Sequence, residues 1–238
     1  HHLGYAGTYL NQRDHDSIRI LTIKGIKLGI LNYTYGTNGS YPISDHKYML
    51  NVIDSAGIVT AVKQAKTLGA EIVLVFYHMG LENITEPTQA QKDAVRFALD
   101  AGATLVIGAH PHVVGPTKQM YSKAINDTAF VAYSLGNFLS NQYWRYTDAG
   151  VILKIVIQKN YTKKRVFFKE ASFTPTWVYR GDGARKMHVL FPAQWGLDST
   201  KLPVFISKSH QQKMKEAFDD TKLMLTKSNP ELKLNLLK

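Results

Sequence analysis

Two apolar runs with helix-spaced segments before and between them constrain this chain more than any other feature. Residues 71–77 and 104–107 are nearly continuous in apolar side chains, the composition of strands buried on both faces of a parallel sheet. Residues 54–68 place Ile58, Val62 and Ala65 on one helical face, and Gly69 closes that helix. Thr85-Glu86-Pro87-Thr88 starts a second helix, with Pro87 in its first turn, where a missing N–H costs little. It runs to Asp100-Ala101-Gly102 and carries Ala94, Phe97 and Ala98 as its buried face. Helix, strand, helix, strand in this rhythm is a βαβ unit, so the sheet is expected to be parallel there.

Both runs end in histidine. His78 follows the first directly, with Met79-Gly80 and Glu82 next. The second ends in Gly108-Ala109-His110-Pro111-His112. In extended backbone, residues two apart point to the same side, and Pro111 stiffens the spacing. Imidazole is the commonest metal-ligating side chain, and ligands collect beyond the carboxyl ends of parallel strands. His78, His110 and His112 are therefore a candidate metal-ligand set. A histidine at a strand end also serves as a hydrogen-bonded structural residue, and that reading stands beside the first.

Around this unit the pattern is β. Residues 17–23 and 27–33 alternate and form a hairpin about Lys24-Gly25. The loop 34–40 that follows is rich in Gly and hydroxyl side chains, a composition that serves as an ordinary turn or cradles an anion on backbone N–H groups. Residues 129–133 read as a strand, 151–157 and 165–168 as a hairpin around Asn160, and 210–225 as an amphipathic helix ended by Ser228-Asn229-Pro230, with fraying beyond. Asp14-His15-Asp16 reads as a solvated turn in a polar loop.

The chain has 238 residues and no cysteine. Disulfides and thiolate ligands are thus excluded, and any metal must be held by nitrogen and oxygen. No stretch approaches the ~20 apolar residues of a membrane helix. The net charge of +11 suits contact with polyanions. It is spread out, however, with Lys163-Lys164-Arg165 the only tight cluster, and no nucleic-acid motif accompanies it.

Five motifs in order now carry a resemblance. Tyr33-Thr34-Tyr35-Gly36-Thr37-Asn38-Gly39, His78-Met79-Gly80-Leu81-Glu82, Asp100-Ala101-Gly102-Ala103, Gly108 to Val113 and Tyr133-Ser134-Leu135-Gly136-Asn137-Phe138 resemble CapA-type capsule or poly-γ-glutamate synthesis proteins. The resemblance covers residues 7–180. Met79 and Asn83 stand where the usual His-Trp-Gly-x-Glu-Tyr motif has Trp and Tyr, changes that touch packing more than ligation. That family is similar to calcineurin-like metallophosphoesterases. The resemblance therefore implies a four-layer α/β/β/α sandwich over residues 1–200, N-terminally truncated, and a C-terminal helical tail over 201–238.

The resemblance implies a site as well. His78, His110 and His112 would be ligands to divalent metal ions (Mn, Zn or Fe), Glu82 and Asn137 would be catalytic in the same cleft, and Asn38 and Ser134 would contact substrate. The family's early Asp and Asn-Asn-His motifs do not occur in this sequence. Gly181-Asp182-Gly183 lies in the wrong context to replace the first, so the chain looks like a C-terminal portion with roughly half the ligands, and a metal-free state is the alternative. Implied partners are an anionic envelope polymer (poly-γ-glutamate or capsule), membrane synthase subunits and a second copy of the chain, with no nucleic acid. The implied place is the extracellular face of the bacterial membrane, with an anchor upstream. Three functions compete: a capsule assembly factor, a metal-dependent phosphoesterase acting on an envelope intermediate, and a metal-free polymer-binding module that uses Tyr143-Trp144-Arg145-Tyr146.

Overall fold

The structure, a computed structural model, describes residues 4–39, 44–181 and 188–236. His1, His2, Ser40, Asp182 and Gly183 lie outside the described residues. After a one-turn helix, α1 (Gln12–His15), the strands β1 (Arg19–Ile23) and β2 (Ile26–Thr34) pair antiparallel. Lys24 and Gly25 between them hold φ of 48° and 76°, the left-handed turn whose twist matches that of the flanking strands. Then come α2 (Ser55–Thr67), β3 (Ile72–His78), α3 (Gln89–Ala101), β4 (Leu105–Ala109), β5 (Thr117–Ser122) and β6 (Asp127–Ala132). They build a six-stranded sheet in the order β1-β2-β3-β4-β6-β5, parallel from β2 through β6.

Each face of this sheet is covered, which is why its central strands are apolar throughout. Leu31, Val73, Val75 and Val106 pack beneath α2 and α3 against Ile58, Val62, Ala94 and Ala98. Ile72, Leu105, Ile107 and Phe130 face the second sheet, meeting Val151, Phe168 and Phe173. That sheet holds β7 (Ala149–Asn160), β8 (Arg165–Tyr179), β9 (Val189–Pro192) and, after helix α4 (Lys208–Ser228), β10 (Lys233–Leu234). Met214 and Phe218 of α4 pack on Trp177 and Tyr179 of β8. The fold is thus α/β, with two sheets face to face and helices packed on them, as expected.

Several local expectations change. Pro87 stands outside α3: the reciprocal Thr88–Gln91 capping box starts the helix one residue later. Its buried face is Gln91, Ala94, Val95, Ala98 and Leu99, while Phe97 is half-buried with the Arg96 guanidinium over its ring. β5 has no counterpart in the sequence reading because its side chains are mostly polar and show no apolar alternation. β7 and β8 are much longer than the hairpin read for them, and they continue across a bulge at Val156/Ile157. The tail does not fray at once: Lys233 and Leu234 pair with Ser172 and Phe173. Asp14 is not a solvated turn. It lies in α1 and accepts hydrogen bonds from Tyr5, from the Leu10 N–H and from Arg19.

Candidate metal centre

Three parallel strands deliver the site. β2, β3 and β4 pair in register up to Thr34, His78 and Ala109, so the segments that follow them leave from one edge of the sheet. The ladder runs one step further, with the Met79 N–H donating to the Ala109 carbonyl at 3.0 Å. Met79 itself is buried among the residues under α3, so the change at that motif position concerns packing.

After Ala109 the backbone departs from the extended form on which the same-side argument rested. His110 and His112 hold φ of 105° and 62°. Left-handed backbone is costly for side chains with a Cβ and concentrates at functional sites. The turn still keeps the rings near one another, 6.1 Å apart between centroids. Gly108 is demanded by close approach, since a Cβ there would stand 2.1 Å from the Tyr133 carbonyl oxygen.

His78 and His110 meet edge to face, with His78 Nε2 and His110 Nδ1 3.1 Å apart. Tyr35, just past β2, packs on both rings, parallel to His78 and 4.7 Å from His110. Burial holds the His78 pKa below the ordinary imidazole value, and the neighbouring His110 and His112 push it the same way. His110 is lowered as well, by burial first, with Glu82 opposing and His112 adding. Both rings are thereby biased to the neutral form, which keeps a lone pair for a cation or a proton.

His112 is oriented from behind. Its Nδ1 lies 3.0 Å from Asn137 Oδ1, so Nδ1 carries the proton and Nε2 is left as the acceptor. The Asn137 amide donates in turn to the Thr147 carbonyl at 2.7 Å and to Gln142 Oε1 at 2.9 Å, and Asn137 is buried. Glu82 Oε1 stands 3.9 Å from His112 Nε2. The residues outside this cluster are also clear. Asn38 is exposed and accepts from the Tyr35 hydroxyl at 3.3 Å, one contact away from the rings. Ser134 is buried, and its Oγ accepts from the Gly136 N–H at 3.2 Å, shaping the turn that presents Asn137.

Two residues escaped the sequence reading. Tyr35 lay within a recognised motif without a role. Gln91 donates to the Met79 carbonyl at 3.2 Å and ties the start of α3 to the segment after His78. The Thr88-x-x-Gln91 capping signature was the available signal for Gln91; for Tyr35 there was only its place after a strand.

The donor set decides what could be held here. Two ligands of one tetrahedral cation, with metal–nitrogen bonds of ~2.0–2.1 Å, stand about 3.3 Å apart, close to the separation of the His78 and His110 nitrogens. Among the described residues no group of three or more His, Asp or Glu is close enough together to hold an ion. No carboxylate bridges the two rings. The described residues thus set two imidazole nitrogens at the ligand spacing of one cation and supply no third ligand close enough to complete it.

The sequence pattern of the bacterial capsule synthesis protein family PGA_cap matches residues 1–142, more than half of the chain and inclusive of all three histidines and Asn137. This chain belongs to that family. A PGA_cap relative, the PGA biosynthesis protein CapA of Bacillus subtilis strain 168, is 28% identical over 140 residues, covering 59% of this chain and 35% of the relative. The capsule biosynthesis protein CapA of Bacillus anthracis is 26% identical over 163 residues, covering 67% and 38%. The chain thus spans little more than a third of the length of these curated relatives. Among solved structures, the NAD nucleotidase of Haemophilus influenzae aligns over 96% of this chain and 41% of its own, with TM-score 0.47 and 9% identity. The sulfate thiohydrolase SoxB of Thermus thermophilus aligns over 86% and 29%, with TM-score 0.39 and 15% identity. The family is described as bacterial capsule synthesis proteins. Among the described residues no helix is long and apolar enough to cross a membrane.

Proposed function

We propose that this chain is the histidine-bearing part of a CapA-type protein that assembles an anionic capsule or poly-γ-glutamate polymer, with a metal-assisted phosphoester-cleaving centre acting on a phosphorylated envelope intermediate. The observation that supports this reading best is the pair of facing nitrogens on His78 and His110, 3.1 Å apart beside an Asn137-oriented His112. His78 and His110 would hold a divalent cation (Mn, Zn or Fe), with His112 reaching it only after a shift of its ring, and the cation would polarise a phosphoryl oxygen and lower the pKa of a water. The rest falls to side chains of this chain. Asn137 keeps His112 in one tautomer and orientation. Glu82, exposed with its Oε1 3.9 Å from His112 Nε2, would take or return a proton at the substrate. Asn38 on the rim contacts substrate, and Ser134 acts on it through the turn it shapes.

By this reading the protein works on the outer face of the bacterial membrane, anchored by upstream sequence, beside membrane synthase subunits. Nucleic acid is no partner. A second copy would pair along β1, one of the two edge strands of the six-stranded sheet, where Leu21 and Ile23 are exposed. A second reading, a metal-free polymer-binding module, is favoured by the exposed Tyr143, Trp144 and Tyr146 beside the site.

The deciding experiment is metal content by plasma mass spectrometry after loading with Mn, Zn or Fe, on this chain and on His110→Ala/His112→Ala. About one equivalent in the parent, lost in the variant, is expected. About two equivalents would mean that further ligands come from sequence or a chain beyond these residues. No metal in either would overturn the metal-centre reading and leave the binding module.

A further inference from the structure

Away from the histidine rings, one face carries exposed aromatic side chains beside uncommitted cations. The loop entered at Asn137 exposes Tyr143, Trp144 and Tyr146, with Trp144 60% open to solvent. Its backbone is tied down. The Trp144 carbonyl accepts from the Thr147 and Asp148 N–H groups, and the Asn137 amide donates to the Thr147 carbonyl. An ordered loop thus holds these rings in water, at a hydrophobic cost. α4 runs beside them, joined through the Arg145–Asp220 ion pair. Lys213, Asp220, Leu223 and Lys227 lie on one stripe of that helix, about 21 Å long at 1.5 Å per residue. Leu223 is 65% exposed. The stripe joins two hollows. One is lined by Tyr143, Arg180 and Lys213. The other, of about 510 Å³, takes in Tyr146, Leu223 and Lys227 together with Lys92 of α3 and Lys118 of β5.

Most acids of this face are engaged. Asp220 is clamped by Arg145, with Nε and Nη2 at 2.8 and 2.9 Å from its two oxygens. Glu216 accepts from Gln212 at 3.0 Å, and Asp148 is buried against Trp177. That leaves Glu86. Lys92, Lys118, Lys213 and Lys227 have no carboxylate partner among the described residues. The positive excess is spread along the whole stripe, wider than one compact anion can touch. Tyr and Trp suit a boundary between water and lipid, with an apolar body and a polar tip. Lysine lays its hydrocarbon stem on apolar surface and leaves its charge at the level of anionic headgroups. The centre of a protein–protein interface, by contrast, is poor in lysine.

We propose that the face bearing Trp144, Tyr146 and Leu223 with Lys92, Lys118 and Lys227 docks on the surface of an anionic lipid bilayer. This goes beyond anchoring by upstream sequence: the chain itself meets lipid, with the loop that carries Asn137 turned toward the headgroups. The proposal does not depend on whether the histidines hold metal.

The test is sedimentation of this chain with vesicles of phosphatidylcholine containing about 30% phosphatidylglycerol, against vesicles of phosphatidylcholine alone. Anionic vesicles with brominated acyl chains report on Trp144, since Trp177 is buried and Trp195 half-buried. The expected result is binding that needs the anionic lipid, weakens with salt and quenches tryptophan emission. Binding should fall at least about tenfold in Lys92→Gln/Lys118→Gln/Lys227→Gln and in Trp144→Ser/Leu223→Ser. Lys163→Gln/Lys164→Gln/Lys169→Gln makes the same charge change on the β7–β8 turn and β8, and should stay near parental. No vesicle binding by the parent, equal loss in the control, or binding without quenching overturns the proposal. So does a single-stranded oligonucleotide that displaces the vesicles at equal charge. A parental dimer that Trp144→Ser/Leu223→Ser turns into a monomer also overturns it, because the face would then join two copies. Far-UV circular dichroism checks folding, and the quenching measurement needs only the parent should a variant fail to fold. Failure here leaves the metal measurement untouched, and the converse also holds.

Discussion

Asp148 is a carboxyl that the fold holds at a cost. It closes the loop that Asn137 opens: its N–H donates to the Trp144 carbonyl, and its own carbonyl accepts from Val178. The side chain is buried and accepts from Trp177 Nε1 at 2.9 Å. Burial pushes its pKa up to about 6, against an opposing pull from the Trp177 hydrogen bond. For an acid this sign means that the folded state binds the proton more tightly than the unfolded chain. Stability is therefore lost as pH rises from the unfolded value near 4 through about 6, and the whole cost is present above that.

A shift of roughly two units corresponds to ~3 kcal/mol. Asp148→Asn removes the charge and keeps an acceptor for Trp177, while its new N–H₂ must find a partner at ~1 kcal/mol. The net expectation at pH 7.5 is a gain of about 1–2 kcal/mol. For a chain of this size that is a rise in Tm of roughly 2–8 °C. At pH 4 the gain should vanish or reverse. Differential scanning calorimetry from pH 4 to 8 on both proteins checks this. A variant that melts lower at pH 7.5, or a difference that stays constant across the range, would refute the assignment of a buried, costly carboxylate.

Three further outcomes follow from single contacts. Asn137→Ala removes the acceptor that orients His112 and two donors that close the 137–147 loop. Metal affinity, read by competition with a chelating dye, should fall about 10–100-fold, with ~1–3 kcal/mol lost in urea unfolding. Gly108→Ala drives a Cβ into the Tyr133 carbonyl and should lower stability by roughly 3 kcal/mol or more. Poor soluble expression and a lower urea midpoint would show this, and a parental midpoint would contradict the close approach. Thr88→Ala breaks the capping box of α3 and should cost about 1 kcal/mol without changing the histidine spectra in NMR. A shift of the His78 resonances would show that the helix start also sets the site.

The βαβ core was legible because period and length suffice for it. Residues 71–77 and 104–107 could only be buried strands, and Ile58, Val62 and Ala65 fell on one face as read. What was lost depended on partners. β5 is largely polar and lacks an apolar alternation, so only its pairing with β6 makes it a strand. Phe97 is half-buried while Val95 and Leu99 are buried, because the way α3 lies on the sheet decides which flank of its apolar face is covered. Lys233 and Leu234 are ordered by β8, which no local pattern announces.

The site divides in the same way. Residue type and strand-end position named His78, His110 and His112, because metal-ligating chemistry and parallel-strand ends are both written locally, while Glu82 and Asn137 were named only through the resemblance to CapA-type proteins. Their arrangement was not. The His110-Pro111-His112 segment turns through left-handed backbone instead of running extended, and the 3.1 Å approach of His78 to His110 arises from the register of β3 with β4. Asn137 reaches His112 from the turn after β6, 25 residues further along the chain. Side-chain chemistry and local periodicity are properties of neighbours along the chain. Distances between groups on different elements are set by packing and strand register, and those exist only once the sheets have formed.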